Sequence, residues 1–200
     1  MIYPEKLEKI IEFYKKLPGI GEKSAERLAL ATLDFKEEDI LDFSENIKSA
    51  RKNLHPCSMC GHLTDQEICP ICSDNAREKN LICVIEDYKS VFSFEKVGNF
   101  RGVYHVLNGL ISPMDNIGAD DINLSKLVQR VEQLENPEII LALKSSIEGE
   151  TTTLYIKKIF ENKNVVISRL SYGLPIGAEI DYIDTITLDR ALSDRKQISE

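Results

Sequence analysis

Residues 57–72 restrict this chain more than any other stretch. Cys57-Ser58-Met59-Cys60 is followed, after a short insert, by Cys69-Pro70-Ile71-Cys72. Each Cys-x-x-Cys knuckle can offer two thiolates from adjoining turns, and two knuckles supply the four soft ligands of a tetrahedral Zn²⁺ site. Four of the five cysteines fall here, so Cys57, Cys60, Cys69 and Cys72 are the expected ligands of one zinc per chain. With sulfur in all four positions no place remains for a water, which makes the metal structural rather than catalytic. Gly61 relieves a tight turn after the first knuckle, and Pro70 stiffens the second. Two disulfides would need an oxidising compartment, and the opening MIYPEKLEKI has no apolar signal-peptide core, so export is not expected. A small, loop-rich lobe of this kind is held by metal binding rather than by a core of its own. His55 and His62 flank the first knuckle and are expected to be bystanders. Cys83, inside the apolar run 81–85, reads as a small buried hydrophobe.

With 200 residues, 42% of them hydrophobic and 29% charged, the chain can bury one or two real cores. No apolar stretch approaches the length of a membrane span, and the expected location is cytoplasmic. Non-specific affinity for DNA comes mostly from Lys and Arg on phosphates, so a net charge of -8 argues against a wholly basic nucleic-acid binder. Any such contact must be a local patch. No internal repeat or low-complexity segment interrupts the chain.

Residues 4–16 are expected to form a helix, with Pro4 in its first turn and Leu7, Ile10, Ile11 and Tyr14 at helical spacing. Leu17-Pro18-Gly19-Ile20-Gly21 breaks it. A second helix over 22–32 puts Ala25, Leu28 and Ala29 on one side and Lys23 and Arg27 on another. This is a helix-hairpin-helix pattern. Gly19 and Gly21 allow close approach of a phosphate, the N–H groups opening the second helix point toward it, and Lys23 and Arg27 extend the contact. Such contact is independent of base sequence and weak per copy, tempered by Glu22 and Glu26, which favours several copies acting together. The plainer alternative is a helical corner with glycine caps and a solvated charged face. A third helix over 37–53 carries Ile40, Phe43, Ile47, Ala50 and Leu54 as an apolar seam, which packs either within the domain or against another subunit.

From Leu81 onward, strands alternate with helices. Residues 81–85, 103–107, 138–143 and 165–167 are the expected strands, and their nearly continuous hydrophobicity suits a mainly parallel sheet covered on both faces. Leu124, Leu127, Val128, Val131 and Leu134 mark one helix, and residues 150–161 mark another. Acidic groups gather where such sheets bind ligands: Glu86-Asp87 ends the first strand, and Glu148-Gly149-Glu150 follows the third. This arrangement resembles the Toprim fold of topoisomerases, primases and related nucleases, whose catalytic members hold Mg²⁺ with an additional Asp-x-Asp pair. Here the corresponding positions are Lys144 and Ser146. An ammonium in place of a carboxylate removes a ligand and repels the cation, so phosphoryl-transfer chemistry is not expected. The acidic face is either a solvated loop or a surface for a partner protein, and the second is preferred.

Helix-hairpin-helix, four-cysteine zinc site and Toprim domain in this order closely resemble the RecR family of bacterial recombination mediators, over nearly the full length. Tyr104-His105-Val106-Leu107-Asn108-Gly109, Ser112-Pro113-Met114-Asp115, Glu148-Gly149-Glu150 with Thr152, and Gly173-Leu174-Pro175-Ile176-Gly177 are similar to segments of that family. So is the tail from Asp181-Tyr182 through Thr187-Leu188 to Ala191-Leu192. One departure is Lys144-Ser145-Ser146, where the family usually shows Asn-Pro-Thr. The resemblance implies an α+β multidomain chain: a helix-hairpin-helix DNA-binding domain over 1–54, a four-cysteine zinc finger over 55–76, a Toprim domain over 77–170, and a Walker B-like, C-terminal oligomerisation segment over 171–200. It implies a non-enzymatic mediator that works with RecO, and in some bacteria RecF, to load RecA on single-stranded DNA covered by single-strand-binding protein. It further implies a homotetrameric ring whose hairpins face DNA, with RecO meeting the acidic surface around Glu86, Glu148 and Glu150. No phosphate-cradling Gly-x-x-x-x-Gly-Lys loop occurs, so ATP hydrolysis is not expected. The competing readings are a Mg²⁺-dependent Toprim nuclease or topoisomerase-like enzyme, and a zinc-held scaffold that binds only proteins.

Overall fold

A computed structural model describes residues 3–171, 173–195 and 197. The chain divides into two compact units, Met1–Leu54 and His55–Glu200. In the first unit α1 (Glu5–Lys15) and α2 (Glu22–Leu33) form a hairpin. Ala25 and Ala29 are fully buried, and their lack of bulk lets α1 bring Leu7, Ile10, Ile11 and Tyr14 against α2. The Tyr14 hydroxyl lies 2.6 Å from Thr32 Oγ1 and links the last turn of α1 to the last turn of α2. Pro4 sits at the N-cap of α1, one residue before its first turn. The third helix, α3 (Glu37–Asn53), has no buried residue. Its seam does not find a partner within this unit, and Phe43, Ile47 and Leu54 stay exposed.

The second unit opens with the cysteine lobe: a short antiparallel pair, β1 (His55–Pro56) and β2 (Leu63–Thr64), and the one-turn helix α4 (Pro70–Ser73). Then comes a four-stranded sheet in the order β4-β3-β5-β6, every neighbouring pair parallel. Its strands are β3 (Glu78–Ile85), β4 (Gly102–Val106), β5 (Glu138–Ala142) and β6 (Val166–Arg169). Because side chains alternate along a strand, Ile82 and Val84 of β3 join one core while Cys83 and Ile85 join another. The first core takes Leu127 and Val131 from α6 (Leu124–Val131) and Ile156 and Phe160 from α7 (Ile147–Phe160). The second takes Val91 from α5 (Tyr88–Val97), a helix the sequence pattern did not mark. Both faces are therefore covered, which explains the near-continuous apolar strands. Cys83 is buried in the second core. The tail adds α8 (Thr185–Ser193), capped by Asp184, whose side chain accepts from Thr187 N–H.

Two elements start three residues before the sequence pattern places them, and β3 begins at Glu78 rather than 81. Helix α7 starts at Ile147, not 150, because the Ser146 side chain accepts from Gly149 N–H and nucleates the first turn there. Glu148, Gly149 and Glu150 are thus inside the helix rather than in a loop before it.

Candidate functional site

The four knuckle cysteines are buried, and their sulfur atoms all lie within 4.8 Å of one another. Cys60 Sγ and Cys69 Sγ are 3.6 Å apart. Zn–S bonds of about 2.3 Å in a tetrahedron place sulfurs about 3.8 Å apart, so the cluster has the size the ion demands. Backbone donors complete it: His62 N–H reaches Cys60 Sγ at 3.4 Å and Cys69 N–H reaches Cys57 Sγ at 3.3 Å, both suited to thiolates. Hydrogen bonds from Cys60 and then Cys72 lower the Cys69 thiol's pKa, while hydrogen bonding to Cys69 and Cys72 raises that of Cys60. A crowd of sulfurs sharing protons this way suits a divalent cation in their place. Gly61 adopts φ +76°, and a Cβ there would sit 3.1 Å from the Val106 carbonyl. That close approach fits the Val106 N–H bond to Cys60 O at 2.8 Å, which fastens the lobe to β4. His62 turns its ring edge-on to Phe92, with centroids 5.0 Å apart, and His55 is exposed beside Pro56. Neither belongs to the sulfur cluster.

The hairpin turn is built as its glycines demand. Gly19 has φ +80°, a left-handed conformation that disfavours other residues, and Gly21 is the extended N-cap of α2 without a side-chain cap. The first N–H groups of α2 therefore have no side-chain acceptor at the cap position and carry the positive end of the helix dipole. Lys23 and Arg27 follow, both exposed and, among the described residues, without an ion pair. Glu26 is drawn to the Tyr3 hydroxyl, whose pKa it raises by hydrogen bonding, and Glu22 lies near Lys15.

At the carboxyl end of the sheet, Glu86 follows β3 while Glu148 and Glu150 lie in the first turn of α7. Each meets a group of the chain itself. Lys144 Nζ sits 3.2 Å from Glu86 Oε1. Ser146 Oγ donates to Glu148 Oε2 at 2.6 Å, and this bond, with the helix N–H and the Lys144 charge, holds the Glu148 carboxyl below its usual range. Glu150 faces Arg169 at 3.5 Å and Arg190 of α8 at 3.7 Å. Arg190 also donates to Ser145 Oγ. Sequence reading singled out Lys144 but not Arg169 or Arg190. Arg190 is 45 residues from Ser145, and no local pattern links them.

Models of protein families match the chain in four consecutive blocks. Residues 7–51 match the RecR helix-hairpin-helix, residues 54–74 the RecR four-cysteine zinc finger domain, residues 80–171 the Toprim domain, and residues 173–196 the RecR C-terminal region. Three of these models are specific to RecR, and together with the Toprim match they follow one another in order along the chain. The chain belongs to the RecR family. The four-cysteine finger match and the cluster of Cys57, Cys60, Cys69 and Cys72 identify one structural zinc. Family membership supports a role as a recombination mediator, and the hairpin and C-terminal matches indicate DNA binding and oligomerisation. Among the described residues no helix is long and apolar enough to cross a membrane.

Proposed function

We propose that this protein mediates recombinational DNA repair without a catalytic step, holding DNA through its hairpin and a RecO-type partner through its acidic face. The observation that carries the reading is the Lys144–Glu86 ion pair at 3.2 Å. A catalytic Toprim centre needs carboxylates free to take Mg²⁺, and here an ammonium occupies the ground a cation would take. In this reading Gly19 and Gly21 bring backbone N–H groups to a phosphate, and Lys23 and Arg27 follow the strand. Glu86, Glu148 and Glu150, half-buried at the carboxyl end of the sheet, form the partner surface, where acidic groups steer a basic protein. With RecO, and in some bacteria RecF, the protein loads RecA onto single-stranded DNA in the cytoplasm, on the nucleoid.

Assembly into a homotetrameric ring fits the exposed apolar groups of α3 and of the tail, where Ile180, Ile186 and Leu192 also face solvent. The proposed modules are a hairpin domain over 1–54, the zinc finger over 55–76, the Toprim domain over 77–170 and the C-terminal segment over 171–200. Residues 1–2, 172, 196 and 198–200 of these modules lie outside the described residues.

Gel shifts at low salt test the DNA half: Lys23→Glu with Arg27→Glu should weaken binding at least tenfold, and unchanged binding contradicts it. Pull-down with RecO tests the other half. Glu86→Lys with Glu148→Lys should abolish capture while leaving zinc content intact, and undiminished capture removes the acidic face from the reading.

A further inference from the structure

Between the cysteine lobe and α6 lies a cavity of about 510 Å³. Its lining includes Lys79, Lys126 and Arg130, with Gln129, Gln133 and Cys72, and among the described residues none of its lining side chains is acidic. This is unusual ground in a chain of net charge -8. We propose that this cavity is a second nucleic-acid contact, taking one phosphodiester of a DNA strand independently of the hairpin.

Lys79 and Arg130 are held in place by backbone carbonyls and, among the described residues, by no carboxylate. Lys79 Nζ donates to Cys72 O at 2.8 Å and to Asp74 O, and Arg130 Nη1 donates to Tyr104 O at 2.7 Å. Carbonyl oxygens fix a side chain yet leave its charge available, and an Arg keeps further donors for an anion. Lys126 is exposed and, among the described residues, has neither an ion pair nor a hydrogen bond. Gln129, near the end of α6, and Gln133, in the turn that follows it, both line the cavity, and their amides can donate to phosphate oxygens.

Charge selects the ligand. A zinc ion with four thiolates carries two formal negative charges, and Lys79 and Arg130, the cations nearest Cys72, offset them. Lys126 remains as the surplus. One net positive charge with neutral donors matches a phosphodiester monoanion better than the dianion of a free phosphate monoester. The proposal rests on the DNA-binding reading above, and its test separates the two.

The zinc-loaded full chain is titrated with fluorescent oligo-dT by anisotropy over a range of salt. Three single-site variants, Lys126→Gln, Gln133→Glu and Lys157→Gln, are compared with the Lys23→Gln/Arg27→Gln double variant. Lys126, Gln133 and Lys157 are exposed, so folding and zinc content should be kept. Lys126→Gln should weaken binding several-fold and lower the slope of log K against log salt by about 0.7, the share of one single-strand phosphate contact. Gln133→Glu should weaken it further, and Lys157→Gln on α7 should change nothing. Additivity of Lys126→Gln with the hairpin variant supports an independent contact. Loss from the cavity variants without loss from the hairpin variant would support this site and reject the hairpin. Binding and slope unchanged by Lys126→Gln, an equal loss from Lys157→Gln, or displacement of oligo-dT by millimolar inorganic phosphate overturns the proposal.

Discussion

Gly149 shows how one residue decides the geometry of the acidic face. A Cβ there would fall 1.9 Å from the Lys144 carbonyl, so the first turn of α7 can lie against the end of β5 only if position 149 has no side chain. The Glu-Gly-Glu pattern is therefore a packing requirement between two acids, not a left-handed turn, since Gly149 is absent from the positive-φ residues. Gly149→Ala should cost about 2–4 kcal/mol and lower the melting temperature by several degrees. A melting curve superimposable on the parent would contradict this contact. His105 makes a second residue-level statement. It is fully buried in β4, its Nε2 lies 2.7 Å from Asn123 O, and among the described residues its Nδ1 has no partner. Burial pushes its pKa down to about 4, so the ring is neutral in the fold. The unfolded chain takes up a proton below about 6.5 that the folded chain refuses, and stability should fall as pH drops from there toward 4. NMR should show the His105 ring unprotonated at pH 5.5, and a midpoint near 6.5 would refute the buried neutral ring.

At the scale of elements, the zinc lobe has little core beyond its sulfurs and Ile71. Its fold depends on the metal, and Cys57→Ser or Cys72→Ser should leave little soluble protein and no stoichiometric zinc. Full zinc content in either variant, by metal analysis, would contradict the four-sulfur site. These ligands were legible because Cys-x-x-Cys spacing is local chemistry, and the parallel strands were legible because burial on both faces makes continuous apolar runs. Helix α5 was not. Only Val91 is buried in it, and Phe92 and Val97 are exposed, so no clean apolar stripe marks it. The start of α7 was misplaced for a related reason: Ser146 sets it through a single cap, which periodicity does not register.

For the molecule as a whole, sequence reading found modules more readily than the contacts that join distant segments. The partners of Glu150 come from β6 and α8, and the cations beside Cys72 come from β3 and α6. Such pairs depend on topology, which spacing along the chain does not encode. Apolar seams were visible, but whether α3 packs inward was open, and in its own unit it does not. Phe43→Glu with Ile47→Glu should therefore reduce assembly without lowering the stability of the unit. Light scattering at micromolar concentration should show a smaller particle, and an unaltered mass would remove α3 from the interface. In the proposed function the chain's own cations close its Toprim acids to Mg²⁺, so that the protein grips DNA without cutting it. Incubation of the zinc-loaded protein with supercoiled plasmid and Mg²⁺ tests this most directly. Retarded but covalently intact plasmid is expected; nicked circles that vanish with Glu86→Gln would show that the acids still hold a working metal.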